Sequence, residues 1–223
     1  INVATRMQQR WGIPYFEGSF YGISDMSTTL REIARLLVEQ GAPDDPVDAG
    51  PPQGDRPPLG GADAAQRRPR GHSLIERTEA LVAVEEARAW ERIRAYRERL
   101  AGKKVLLITG GVKSWSVVSA LQEAGLEVVG TSVKKSTKED KEKIKEIMGD
   151  DAHMIDDMTP REMYAMLRDA KADIMLSGGR SQFVALKARM PWMDINQERH
   201  HAFAGYEGMV TMVAEIHKAL FNP

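Results

Sequence analysis

Two short strings in this chain set paired glycines beside a cation. Gly110-Gly111-Val112-Lys113-Ser114-Trp115-Ser116 follows the apolar run Val105-Leu106-Leu107-Ile108 and precedes Val117, Val118 and Leu121 at helical spacing. Ser177-Gly178-Gly179-Arg180 follows a second such run, Asp173–Leu176, and again leads into a helical pattern. Glycine lets the backbone approach a ligand closely, and the start of a helix offers N–H groups without intrahelical partners to an anion. Lys113 and Arg180 add positive charge at those places, so together the strings describe a pocket for a polyanion. Each turn would serve equally as a tight strand-to-helix connection, and Asp194 is an alternative partner for Arg180. Neither string has the G-x-G-x-x-G spacing of dinucleotide folds or the G-K-[ST] ending of phosphate loops, so a nucleotide is not indicated.

The other chemically capable residues do not assemble from the sequence alone. Asn196-Gln197-Glu198-Arg199-His200-His201 is polar and follows the last strand pattern, but adjacent histidines point in different directions and rarely chelate one metal. His153 and His217 have no partner at metal-ligand spacing. Ser114 and Ser116 flank Trp115 without a nucleophile-elbow pattern. The chain has no cysteine, which excludes disulfides and thiolate ligation by these 223 residues and fits a cytoplasmic protein. No catalytic residue and no metal ligand is assigned.

Alternating elements must position the two glycine turns. Residues 1–10 read as the tail of a helix ended by Gly12, as though the sequence began inside a longer protein. Ile13–Phe16 is a strand candidate interrupted by Pro14. Ser24 can cap a helix to about Gln40, with Leu30, Ile33, Ala34 and Leu37 on one face. Residues 42–71 hold seven of the 11 prolines and almost no large apolar side chain, the composition of a disordered loop, with the basic run Arg67-Arg68-Pro69-Arg70 inside it. Ser73-Leu74-Ile75-Glu76 is a capping box opening a helix to about Leu100, with Leu74, Leu81, Val84 and Ile93 as its apolar stripe and Glu85–Arg88, Glu91–Arg94 and Arg94–Glu98 as surface pairs.

From Lys103 onward strands and helices alternate. Strands are predicted at Val105–Thr109, Glu127–Thr131, His153–Ile155, Asp173–Leu176 and Met190–Ile195. The helices between them open on the capping boxes Ser136–Glu139 and Thr159–Glu162. Met209, Met212, Val213, Ile216 and Leu220 mark a final helix. The expected fold class is α/β, a mostly parallel sheet with helices on both faces. Right-handed crossovers put Gly110–Trp115, Ser177–Arg180 and Asn196–Gly205 on its carboxyl edge, where such sheets bind ligands. The expected organisation is a helix–strand–helix segment (1–41), the proline-rich loop (42–72), a connecting helix (73–102) and a Rossmann-like domain (103–223). The formal net charge of −1 and the lack of any apolar run near 20 residues argue against a nucleic-acid or membrane partner.

Longer strings carry a resemblance. Gly110–Leu121, Lys134-Lys135-Ser136-Thr137-Lys138-Glu139-Asp140-Lys141, Met148-Gly149-Asp150-Asp151, Asp194–Arg199 and Trp11–Gly22 resemble the nitrogenase component 1 family, and within it the proteins that mature the iron–molybdenum cofactor. The match covers roughly residues 1–41 and 73–223. The resemblance implies α/β domains with parallel four-stranded sheets and an α-type subunit paired with a paralogous NifN-like subunit as an α2β2 heterotetramer. It also implies a scaffold role: an iron–sulfur precursor cluster receives molybdenum and homocitrate with the nitrogenase Fe protein, then passes to nitrogenase as iron–molybdenum cofactor. By position, Gly110, Gly111 and Lys113 match the loop lining the cofactor cavity of the catalytic subunit, where an arginine replaces the lysine. Arg180 falls where that subunit has a homocitrate-contacting lysine, and Asn196 where it has the molybdenum-ligating histidine. The family's cluster-ligating cysteines lie upstream of the matched region. Two other classes share the pattern: a subunit of a dark-operative protochlorophyllide or chlorophyllide reductase, and a stand-alone α/β anion-binding domain.

Overall fold

The computed structural model describes residues 3–41, 73–109, 114–150, 153–196 and 200–222. The proline-rich stretch with its basic run, and Gly110, Gly111, Val112 and Lys113, lie outside the described residues. The chain divides into two compact units: Ile1–Glu17 with Thr28–Val84, and Gly18–Ser27 with Glu85–Pro223.

Three helices come first, α1 (Val3–Trp11), α2 (Ile23–Glu39) and α3 (Leu74–Leu100). Then β1 (Lys104–Ile108), α4 (Ser114–Glu123), β2 (Glu127–Ser132), α5 (Lys138–Met148), β3 (Met154–Ile155), α6 (Pro160–Asp169), β4 (Ile174–Ser177), α7 (Gln182–Ala188), β5 (Trp192–Asp194) and α8 (Gly205–Phe221) alternate. The strands form one sheet in the order β3-β2-β1-β4-β5, every described pair parallel. This is one strand more than the four that the family resemblance implies, and equals the five that the periodicity predicts. Val105, Leu106 and Leu107 in β1, and Ile174, Met175 and Leu176 in β4, are all 0% exposed. Consecutive strand residues face opposite sides, so helices must cover both faces. One face packs Leu106 and Met175 against Met163 and Leu167 of α6 and Val184 and Ala185 of α7. Each such side chain taken from water contributes about 1.5–3 kcal/mol.

Several local expectations meet a tertiary override. Ile13–Phe16 is not a strand: Pro14 lacks the ladder donor, Ile13 and Tyr15 stay partly exposed, and the Tyr15 hydroxyl is 2.8 Å from Thr5 Oγ1. The α3 stripe is Val82, Ala89, Ile93 and Leu100, whereas Leu81 and Val84 are more than half exposed. On α2, Ala34 is buried but Leu37 is 48% exposed. Arg94 pairs with Glu91 and not with Glu98. The Ser73–Glu76 and Thr159–Glu162 boxes form as predicted. The α5 box is one residue later than predicted, Thr137 with Asp140, leaving Ser136 outside it.

Ser24 does not cap α2. The cap comes from the far end of α4: the Glu123 carboxylate accepts from the N–H groups of Ile23 (2.5 Å) and Ser24 (2.8 Å) and from the Ser24 hydroxyl (2.5 Å). A carboxylate on the first N–H groups of a helix satisfies orphan donors and complements the dipole. Gly22, at φ +81°, makes this approach possible, since a Cβ there would be 3.0 Å from Glu123 Oε2. At the start of α8, Gly205 N–H donates to Phe20 O. The buried Ser27 Oγ is 2.8 Å from the Tyr206 hydroxyl and 2.9 Å from both Ile23 O and Glu86 Oε2. A Cβ on Gly208 would be 2.4 Å from the Phe203 carbonyl carbon, so the backbone before α8 rests directly on its first turn.

Two predictions follow from these contacts. Glu123→Ala should lower stability by about 1–2 kcal/mol by uncapping α2, measured by equilibrium urea unfolding; an unchanged midpoint would refute the cap. The second concerns His217, buried on α8 between Tyr96 and Phe221, with Nε2 unpartnered among the described residues. Burial, and secondarily the Arg99 charge, lower its pKa from the ordinary value. The folded state then favours the neutral ring. Its contribution is complete above the unfolded value, about 6.5, and is lost as pH falls through the lower folded one. Urea midpoints at pH 7.5 and 5.5 should therefore diverge more in the native protein than in His217→Phe.

Candidate functional site

Parallel register brings the strand ends into one row. Ile108 pairs with Ser177, and Ser177 with Asp194, so the connections after β1, β4 and β5 leave the same edge side by side. The sheet order reverses between β1 and β4, which makes that gap the switch point where open α/β sheets bind ligands.

The β4 turn is fixed from below. Trp192 Nε1–H donates to Ser177 Oγ (2.8 Å), Ser177 Oγ–H donates to Gly178 O (3.2 Å), and Ser181 N–H donates to the same carbonyl (3.0 Å). Ser177 is fully buried. Ile195 N–H donates to Ser177 O (3.1 Å), continuing the ladder past β5. Asp194 Oδ1 accepts from Asn196 N–H (2.8 Å), a side-chain-to-backbone turn that aims the chain back over β4. Asn196 consequently lies on Gly178: a Cβ on Gly178 would be 2.9 Å from Asn196 Nδ2, and one on Gly179 would be 3.3 Å from Asp194 Oδ2. These two glycines allow close approach, the role the sequence assigns them, although the neighbour is protein.

Arg180 is exposed, in the short 3-10 turn Gly179–Ser181. It makes no ion pair with Asp194, whose carboxylate is engaged by the β5 turn through Oδ1. Several cations at the β2–β3 end of the same edge are engaged by protein groups. Lys134 Nζ is 2.7 Å from Asp157, Lys141 Nζ is 2.8 Å from Asp156, and Lys143 stands over the Trp115 ring at 4.2 Å. Hydrogen bonds from Lys134, then from Met158 N–H, hold the Asp157 carboxyl below its ordinary pKa. Ser114 is buried and occupied, with Oγ 2.7 Å from Ser132 O and 2.8 Å from Thr109 Oγ1, so it is no free nucleophile. His201 stacks on Phe203 at 5.9 Å beside a cleft of about 280 Å³ whose walls include Asp194, Trp192 and Lys218.

Of the sequence-predicted residues, the structure brings Arg180 and Asn196 to adjoining turns. Gly110, Gly111 and Lys113 lie outside the described residues, between Thr109 and Ser114 on the neighbouring strand end. The sequence reading missed Trp192 and Ser177. Asp194 entered it only as an ion-pair partner, although Asp-x-Asn after a strand is a recognisable turn signal. Among the described residues no group of three or more His, Cys, Asp or Glu could hold a metal. None of their helices is long and apolar enough to cross a membrane.

A parallel sheet ordered β3-β2-β1-β4-β5, with helices between its strands, defines a Rossmann-like α/β domain. The sequence pattern of one family, described as nitrogenase component 1 type oxidoreductase, matches residues 1–221, and the chain belongs to that family. It is 64% identical over 223 residues to the nitrogenase iron-molybdenum cofactor biosynthesis protein NifE of Bradyrhizobium diazoefficiens, covering 100% of this chain and 36% of that protein. It is 44% identical to the NifE protein of Klebsiella pneumoniae, covering 100% of this chain and 42% of that one. The chain thus spans well under half the length of these relatives. A nitrogenase Cp1 structure at pH 5 superimposes with a TM-score of 0.72 at 19% identity, over 99% of this chain and 44% of that one, a likeness of fold.

Trp192→Phe keeps an aromatic side chain, smaller than the indole, and removes the Nε1–H donor. It should speed amide hydrogen exchange at Gly179–Ser181 with a stability loss of about 1 kcal/mol. Unchanged exchange there would show that the indole does not hold the turn.

Proposed function

We propose that this chain forms part of a scaffold on which the nitrogenase iron–molybdenum cofactor is assembled, and that its β1, β4 and β5 turns seat the anionic cargo. The observation carrying this reading is the pairing, on the carboxyl edge next to the switch point, of an exposed arginine without an ion-pair partner among the described residues and an exposed amide against glycine backbone. Charge partners at an anion site must be free; among the described residues Arg180 has no ion-pair partner, whereas Lys134 and Lys141 do. The names of the relatives point to the iron–molybdenum cofactor, and the family resemblance makes the anion an iron–sulfur precursor cluster completed with molybdenum and homocitrate.

In this reading Arg180 pairs with a homocitrate carboxylate, while Gly110, Gly111 and Lys113 line the cluster side. Asn196 stands over the site without ligating. A carboxamide is a poor ligand for soft metals, and the chain has no cysteine to supply thiolates. The chain therefore offers electrostatic and steric seating, and thiolate anchors come from elsewhere in the assembly. The proposed partners are a paralogous NifN-like subunit in an α2β2 heterotetramer and the nitrogenase Fe protein, in the cytoplasm. The Rossmann-like domain of residues 103–223 is the part that meets the cargo.

The test uses the full-length protein in its native assembly, loaded with cluster. Asn196→His places an imidazole where the amide lies and should slow transfer to cofactor-free nitrogenase by about tenfold or more, read from the rate at which nitrogenase activity appears. Unchanged transfer kinetics would sink the role given to Asn196. Arg180→Ala should lower the homocitrate retained per assembly, and full retention would remove the carboxylate pairing.

A further inference from the structure

Helix α7 turns one face to the core and the other to solvent. Val184 and Ala185 are buried in the layer under the sheet, whereas Phe183 and Leu186 are 54% and 64% exposed. Among the described residues from 85 to 223 these are the exposed large hydrophobics, and they lie one turn apart on one helix. A single exposed apolar side chain needs no explanation, but two large ones side by side form a patch.

Cations bracket that patch. The stretch Ile174–Met193 holds Arg180, Lys187 and Arg189 and no Asp or Glu. All three are exposed, and among the described residues none makes an ion pair. The Lys187 ammonium stands 5.8 Å from the centre of the Tyr164 ring. The acids of the neighbouring α6, Glu162 and Asp169, line a cleft beside His153 instead. An apolar centre with a charged rim is half of a protein–protein contact: the anchors supply affinity, and the rim sets encounter rate and choice of partner. The matching half is an apolar surface bordered by carboxylates. A helix of seven residues is about 10 Å long, small beside the broad apolar faces that join permanent subunits, so the patch suits a visiting protein. It also starts directly after the turn that carries Arg180.

We propose that the exposed face of α7 docks the protein that receives the cargo, with Phe183 and Leu186 against an apolar patch and Lys187 and Arg189 against its carboxylates. The inference rests on the seating role proposed for the neighbouring turns, and adds where the recipient stands and what chemistry selects it.

The test uses the full-length assembly loaded with cluster, and cofactor-free nitrogenase as recipient. Initial transfer rates are measured against recipient concentration. In the double variant Phe183→Ala, Leu186→Ala the half-saturating concentration should rise about tenfold or more, while the rate at saturation and the homocitrate retained per assembly stay native. Lys187→Glu should raise it as well and flatten the salt dependence of transfer, whereas Lys187→Arg should behave as native. Native urea midpoints in these surface variants show that the fold is kept. A photo-reactive benzoylphenylalanine in place of the exposed Gln182 should cross-link to a nitrogenase polypeptide. An unchanged half-saturating concentration in the double variant and in Lys187→Glu overturns the inference. So does a cross-link to the Fe protein or to the assembly's own chains, which would then be what covers the face. Arg180→Ala separates the two levels. If homocitrate retention depends on Arg180 while the α7 variants transfer as native, the seat stands and the docking surface falls. If retention does not depend on Arg180, the carboxylate pairing proposed for the seat falls, whatever the α7 variants do.

Discussion

The row Ile108–Ser177–Asp194 across β1, β4 and β5 is the constraint on which the carboxyl edge depends. It is set by burial and not by the turns themselves. With three successive residues of β1 and of β4 at 0% exposure, a one-residue slip would exchange the faces of every side chain and place each against a helix packed for another. The register is thereby locked, and the turns inherit it. Gly178 meets Asn196 because Ser177 is opposite Asp194, two residues before it. The Trp192–Ser177 bond and the Asp194 turn then refine positions that the hydrophobic layers have already fixed.

A second set of contacts fastens the far end of the β5–α8 connection. Phe20 O, the Ser27–Tyr206–Glu86 cluster and the close seat of Phe203 on Gly208 hold the start of α8. The segment bearing Phe20 and Ser27 is itself held where the Glu123 carboxylate caps α2. Of these groups Ser27 and Tyr206 are buried, and each has a partner, which keeps the cost of desolvation low and makes the arrangement specific. The connection carrying Asn196 is thus braced on both sides, by β4 before it and by α8 after it.

What the sequence made legible follows the range of the forces involved. Five strands and the alternating helices stand in its periodicity, because burial on both faces leaves unbroken apolar runs such as Val105–Ile108. Capping boxes are local, and those at Ser73 and Thr159 are read correctly. At α5, Ser136 and Thr137 both fit a cap, and only the helix start at Lys138 decides between them. Glu123 as the cap of α2 was not legible, since its partners are 99 and 100 residues away and Ser24 offers a plausible local alternative. Nor was the exposure of Leu37, Leu81 and Val84, for helical spacing gives a face without saying which neighbour covers it. At the site, the type and placement of Arg180 and Asn196 were legible. The bonds fixing them were not, because Trp192 and Ser177 belong to different strands.

The distribution of charge along the edge bears on how such a site can hold cargo and still release it. At the β2–β3 end, Lys134 and Lys141 are paired with Asp157 and Asp156. At the β4–β5 end the turns engage Asp194 Oδ1 and backbone N–H groups in internal bonds, and among the described residues Arg180 and the Asn196 amide have no ion pair or side-chain hydrogen bond. A positioned donor set of this kind binds without reorganising, and the energy per contact is modest compared with a metal–thiolate or metal–imidazole bond. For the proposed scaffold role this balance is physically sensible. Rigid β-edge geometry supplies orientation, uncommitted donors supply affinity, and the absence of a strong metal ligand at Asn196 keeps the barrier to departure within reach of a competing acceptor.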